Sequence, residues 1–246
     1  MIENILNDAI KHARHIFQAK TTNKTYINIE RLPENKRVMY TPQRIREKEN
    51  IHNEFVNTCR GIRNIIDKYK YVVSESDAGK VLIGNCGELS AAVFGYLLNH
   101  HANNILNWFM TSGKRNVNNA KMPIYIFIIT FNDPYDHGLV VVMLPEKAQD
   151  LPELNKVYGA LPDNAWVCDP WANIACSSKE YNTRWKVKML RWHLVGKSTS
   201  VYQHENLNPP PSPMRQANYH AVTLSQKKVL CIGMIFPDGQ VKITHP

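Results

Sequence analysis

The stretch Leu82-Ile83-Gly84-Asn85-Cys86-Gly87-Glu88-Leu89-Ser90-Ala91-Ala92-Val93-Phe94-Gly95-Tyr96-Leu97-Leu98 reads as a tight loop opening directly into a helix, with a cysteine at the junction. Leu89, Val93, Tyr96 and Leu97 recur at helical spacing, so one face of that helix is buried and anchors it. Gly84 and Gly87 are expected to let the backbone approach a ligand closely. The helix start offers free N–H groups and partial positive charge beside Cys86. A thiol there is expected to favour its thiolate, and an oxyanion to find donors in the Cys86 N–H and Asn85. This is a nucleophile's position, provided that a base reaches it.

Two candidate partners lie downstream. His137 opens the apolar run Gly138-Leu139-Val140-Val141-Val142-Met143-Leu144, and Asp169 closes the short run Ala165-Trp166-Val167-Cys168 before Pro170. Both read as strand ends. A cysteine with a histidine as base, and an acid that orients the histidine, is the general arrangement for nucleophilic acyl transfer. Asp133 and Asp136 compete for the acid's role but look like turn residues bonded to their own backbone, whereas a carboxylate ending an apolar strand needs a partner. Strand alternation puts Cys168 on the face opposite Asp169, so Cys168 is assigned to packing.

The remaining elements follow from pattern. Residues 2–20 carry Ile2, Leu6, Ala9, Ile10, Ala13, Ile16 and Phe17 at helical spacing, which leaves His12 and His15 as solvent-exposed positions rather than a metal pair. A second helical region runs from about Gln43 to Tyr71, with Gly61 as a bend, and Ser74 to Gly79 reads as a polar loop. The cysteine helix is expected to end near Asn99-His100-His101, whose imidazoles sit roughly 20 Å from Cys86 at 1.5 Å per residue and so serve as C-terminal caps. Residues 111–121 read as a mobile polar loop. Ile124–Thr130 and the strand after His137 form a hairpin whose strands are apolar enough to be central in a sheet. Ser177-Ser178-Lys179-Glu180 resembles a helix start with a capping glutamate, followed by a core stripe of Tyr181, Trp185, Met189 and Trp192. Asn208-Pro209-Pro210-Pro211-Ser212-Pro213 is an extended connector, and Val229–Phe236 with Gln240–Thr244 closes the chain as a hairpin.

Composition sets outer bounds. The 246 residues, 43% hydrophobic, suffice for one large core: a helical N-terminal region (1–75) packed with a catalytic core (76–246) as one compact unit. Five cysteines without paired short spacing indicate neither a disulfide framework nor a metal site, and point to a reducing compartment. No apolar run spans a bilayer, and Met1-Ile2-Glu3-Asn4 does not open a Sec signal peptide, so stable membrane insertion is not expected. The formal charge is +9, of which residues 1–70 supply +6 from 14 Lys/Arg against 8 Asp/Glu. A solvated basic face is the simplest reading. An acidic partner is the next, and no nucleic-acid motif is present.

Together, Gly84-Asn85-Cys86 with its Leu97-Leu98 helix, the strand-opening His137 and Trp166-Val167-Cys168-Asp169-Pro170 resemble the transglutaminase-like core of the papain-like superfamily, over about residues 80–172. The order Cys, His, Asp is also similar to the thiol proteases and transglutaminases that bacterial pathogens deliver into host cells. The resemblance implies an α+β fold with the cysteine helix packed on an antiparallel sheet. It implies Cys86 as nucleophile, His137 as base and Asp169 as orienter, in an enzyme that carries out acyl transfer through a thioester and is cytoplasmic or delivered into a host cell. No metal and no cofactor are expected, and the basic helical region suits a partner surface, so a protein substrate, host proteins included, is expected over a small molecule. Gly138-Leu139 follows the histidine where the transglutaminase core carries an aromatic. The rival class is a non-enzymatic interaction module that docks through the basic N-terminal helices.

Overall fold

A computed structural model describes residues 1–18, 21–199 and 211–244. In chain order the elements are α1 (Ile2–Ile16), β1 (Lys24–Tyr26), α2 (Glu34–Arg37), α3 (Pro42–Gly61), α4 (Ile65–Asp77), α5 (Cys86–His100) and α6 (Ala102–Thr111). They continue with β2 (Ile124–Phe131), β3 (Gly138–Met143), β4 (Val157–Tyr158), β5 (Ala165–Asp169), β6 (Ile174–Ser177) and α7 (Ser178–Leu194). The chain closes with β7 (Lys197–Thr199), α8 (Gln216–Tyr219), α9 (Ala221–Leu224), β8 (Lys227–Ile235) and β9 (Val241–Thr244).

The fold is mixed α+β. Seven strands form an antiparallel sheet in the order β4-β8-β2-β3-β5-β6, with β9 also on β8, and β1 pairs β7 in a separate two-stranded ribbon. The expected central hairpin is present: β2 and β3 pair from Tyr125↔Met143 to Thr130↔Gly138, and every residue of β3 is buried. An unbroken Val/Ile/Leu run, rather than alternation, is what a strand covered on both faces requires. β5 then pairs β3, which sets Cys168 opposite Val140 and carries Asp169 to the strand end.

The α5 helix lies against β2 and β3 and is wrapped on its other sides by α1 and α4. Its residues from Leu89 to Leu98 are buried with the exception of half-buried Tyr96, so the helix is core nearly all round. Each such aliphatic side chain contributes about 1.5–3 kcal/mol of burial. The fit depends on glycine: a Cβ on Gly95 would lie 2.3 Å from the Tyr69 ring of α4. α1 and its C-cap contribute Ile2, Leu6, Ile10 and Phe17 to the same contiguous core.

Several expectations are corrected. The second helical region is two helices, because Gly61 ends α3 and the Asn64 side chain caps α4 by accepting from Ile66 and Asp67. Ser74 to Asp77 is the last turn of α4 rather than a loop. His12 is half-buried, stacked on Tyr96 with centroids 3.9 Å apart and bonded to the Tyr69 hydroxyl, because it faces α4 and α5. The loop over 112–121 is tied by its own asparagines, with Asn116 and Asn119 bonded to each other's backbone. Ser177 does begin α7, but its side chain makes no capping bond. Of the proline-rich connector, Asn208 to Pro210 lies outside the described residues.

Candidate active site

Asn85 is the N-cap of α5, with extended backbone, and Cys86 is its first helical residue. The Glu88 carboxylate reaches back to accept the Asn85 N–H at 2.9 Å, which fixes the helix start. The spacing Asn85-Cys86-Gly87-Glu88 is a capping-box signature legible in the sequence. Glu88 lies near His52, 3.9 Å away. Burial would raise its pKa, but His52 and the backbone N–H donors hold it below the ordinary carboxylate value.

The Asn85 side chain faces Thr22. Its Oδ1 accepts from the Thr22 N–H at 3.0 Å, and its Nδ2 donates to Thr22 Oγ1 at 2.9 Å, so the segment after α1 is pinned to the cysteine loop. Gly84 serves packing rather than ligand approach, since a Cβ there would meet the Phe17 ring at 2.8 Å. Gly87 has open space around it.

His137 and Asp169 converge. Nε2 of the imidazole lies 2.9 Å from Asp169 Oδ2, and both side chains are fully buried. Three further contacts fix the carboxylate and ring. The Ala172 N–H donates to Asp169 Oδ1 at 2.8 Å, the Tyr181 hydroxyl donates to Oδ2 at 2.7 Å, and the Phe131 N–H donates to the His137 carbonyl at 2.8 Å. Phe131, Trp171 and Trp185 surround the imidazole, each with its centroid 5.1 Å away. Burial alone would raise the Asp169 pKa; the His137 charge and these hydrogen bonds outweigh it and hold the carboxyl below its usual value. Burial and the neighbouring carboxylate push the Tyr181 hydroxyl well up, so it donates as a neutral phenol.

Tyr181 is the participant that sequence reasoning assigned to core packing. The periodic stripe with Trp185 and Met189 shows that it is buried, and a buried phenol needs a partner. Which partner it finds is a tertiary fact.

Cys86 lies between the residues that flank His137. Its Sγ is 3.9 Å from the Asp136 carbonyl oxygen, the Gly138 N–H donates to it, and its backbone carbonyl carbon is 3.9 Å from where a Gly138 Cβ would stand. The imidazole Nδ1, the nitrogen not used by Asp169, is buried and makes no hydrogen bond with any described residue, Cys86 included. Cys86 is 5% exposed, and the pKa of its thiol runs against the sequence expectation of a thiolate. Burial first, then the Asp136 and Glu88 carboxylates, push the thiol well above its ordinary value, more than the Gly138 N–H offsets. The resting sulfur is therefore a thiol that needs a base.

Cys168 donates to the Leu6 carbonyl at 3.4 Å and is buried, as packing requires. No disulfide joins any of the five cysteines, and all five are buried. Among the described residues no cluster of three or more His, Cys, Asp or Glu has metal-binding geometry, and no helix is long and apolar enough to cross a membrane. Comparison with family models, curated proteins and solved structures returns no match.

Proposed function

We propose that the protein is a cysteine-dependent acyl-transfer enzyme acting on a protein substrate, with a core of the papain-like and transglutaminase-like kind. One observation carries this reading. A buried imidazole is held on one nitrogen by a carboxylate, while its other nitrogen makes no hydrogen bond with any described residue and the adjoining backbone holds a cysteine at a helix start. An unsatisfied buried ring nitrogen costs about 1–3 kcal/mol, a cost that a histidine kept only for packing has no reason to carry. Unliganded sites are commonly loose at this bond, and substrate closes it.

His137 Nδ1 takes the proton of Cys86, and the sulfur attacks a carboxamide or peptide carbonyl. Asp169 and Tyr181 hold the ring so that Nε2 keeps its proton. The Cys86 N–H, with the Asn85 amide hydrogen left over from Thr22, donates to the oxyanion. The imidazolium then protonates the departing ammonia or amine, which leaves a thioester. Water resolves the thioester by hydrolysis, whereas a lysine or small amine resolves it by transfer. Because the resting sulfur is protonated, the base acts during attack rather than before it.

The four other cysteines are internal controls, being buried as well. Burial alone makes all five react alike with iodoacetamide. The enzymatic reading expects Cys86 to react at least about tenfold faster than the others below about pH 8, and His137→Ala to remove that advantage. Labelling of Cys86 no faster than that of the other four cysteines, and indifferent to His137, returns the protein to the class of interaction modules. A glutamine-bearing protein, incubated with and without a fluorescent amine, then separates hydrolysis from transfer, with Cys86→Ala as the blank.

A further inference from the structure

The basic N-terminal region keeps most of its described cations exposed at the surface. Part of it converges with α7 and β7 on a cavity of about 450 Å³, into which Arg14, Lys24, Lys36, Lys48, Lys188 and Lys197 all project. No carboxylate lines it among the described residues, and Arg14, Lys24, Lys36, Lys188 and Lys197 make no ion pair with a described acid. Surface cations are ordinarily interspersed with acids or spread apart, so this density of one sign in one concavity is a binding feature rather than a solubility device.

The innermost cation is built in. Lys24 Nζ donates to the Trp171 carbonyl at 2.8 Å and lies over the Trp171 and Trp192 rings at 4.5 and 5.1 Å. Lys197 lies over Tyr26 and Trp192, each at 5.6 Å. Burial, then Arg14 and Lys197, push the Lys24 pKa well down, and burial with Arg14 and Lys188 lowers that of Lys197. The cations thus repel one another at close quarters. Asp169, whose charge reaches Arg14, Lys24 and Lys188, is already committed to His137.

We propose that this cavity binds a small oligophosphate, its phosphate groups shared among the six cations. A single phosphate carries too little charge to offset six, and the volume lies in the range of small-molecule sites rather than of a protein surface. Tyr26, Tyr40 and Trp192 supply aromatic surface on the same wall, enough to stack a base if the phosphates belong to a nucleotide. The site stands independently of the catalytic reading, although the two share the turn from Trp171 to Ala172.

The test is calorimetry on the full chain at low salt, with tripolyphosphate and ATP as probes. One saturable site is expected, weakened about tenfold in Lys24→Met and in Lys188→Gln/Lys197→Gln, and unchanged in Lys121→Gln, an exposed lysine elsewhere. Where Lys24→Met does not fold, Lys36→Gln/Lys197→Gln at the rim carries the same expectation. ATP binding at least about tenfold more tightly than tripolyphosphate assigns the aromatic wall to a base, and equal binding assigns the site to phosphate alone; both support the proposal. Absence of binding overturns it, as does binding that Lys121→Gln weakens equally. Tighter binding of a tetraglutamate peptide than of tripolyphosphate overturns it in favour of a protein segment.

Discussion

Tyr181 and Asp169 show how one hydrogen bond can be read twice, as structure and as chemistry. The phenol donates to the same carboxylate oxygen that receives the imidazole, at 2.7 and 2.9 Å. Tyr181→Phe keeps the ring and removes the donor, so it is expected to cost about 1.5–3 kcal/mol in urea denaturation, the range for a bond to a charged group. It should also raise the Asp169 pKa and slow Cys86 alkylation, effects that a purely structural role would not produce. The acid limb has a definite sign. Asp169 has a lower pKa folded than unfolded, so its stabilisation is complete above the unfolded value of about 3.9 and drains as pH falls through the folded one. Wild type should therefore lose more stability than Asp169→Asn between about pH 4 and about pH 2, measured by denaturant midpoints at each pH. An equal loss would mean that the carboxylate is not held as described.

Gly95 sets two element-level effects against each other. In a helix interior, alanine is favoured over glycine by about 0.8–1 kcal/mol, so propensity alone predicts that Gly95→Ala stabilises α5. The added carbon would stand 2.3 Å from the Tyr69 ring, and overpacking costs about 1–3 kcal/mol. Packing is expected to win, with a lower urea midpoint; a raised midpoint would show that α4 yields easily. The elements most legible in the sequence were those with strong local pattern: the cysteine helix, the β2–β3 hairpin, β5 and the closing β8–β9 hairpin. Those missed lacked local pattern. Ser74 to Asp77 is polar because it is the outer end of α4, and α6, which opens Ala102-Asn103-Asn104, has no counterpart in the sequence reading. β1 pairs β7 across most of the chain, with Lys24 opposite Thr199. The three principal site residues were legible because each sits at the end of a recognisable element. Tyr181 and the basic cavity were not, because tertiary packing alone brings their members together.

At the scale of the molecule, α1 shares the core with α5, β5 and β6. An inhibitory segment detaches without unfolding what it covers, and a helix that buries Ile2, Leu6, Ile10 and Ile16 does not. Deleting residues 1–17 is therefore expected to abolish cooperative thermal unfolding rather than to activate the protein; a folded, more reactive deletion would reverse this. With no disulfide among the five cysteines, reductant should leave the melting midpoint unchanged. The tryptophans divide into two groups. Trp108 and Trp166 meet edge to face at 5.5 Å, while Trp171 neighbours both Trp185 and Trp192, and the first two of these three flank the imidazole. An imidazolium quenches indole emission, whereas a neutral ring does so weakly. The chain therefore carries its own optical gauge: the two indoles that flank the imidazole report on it without any label, and the Trp108–Trp166 pair, which makes no ring contact with His137, supplies a built-in baseline.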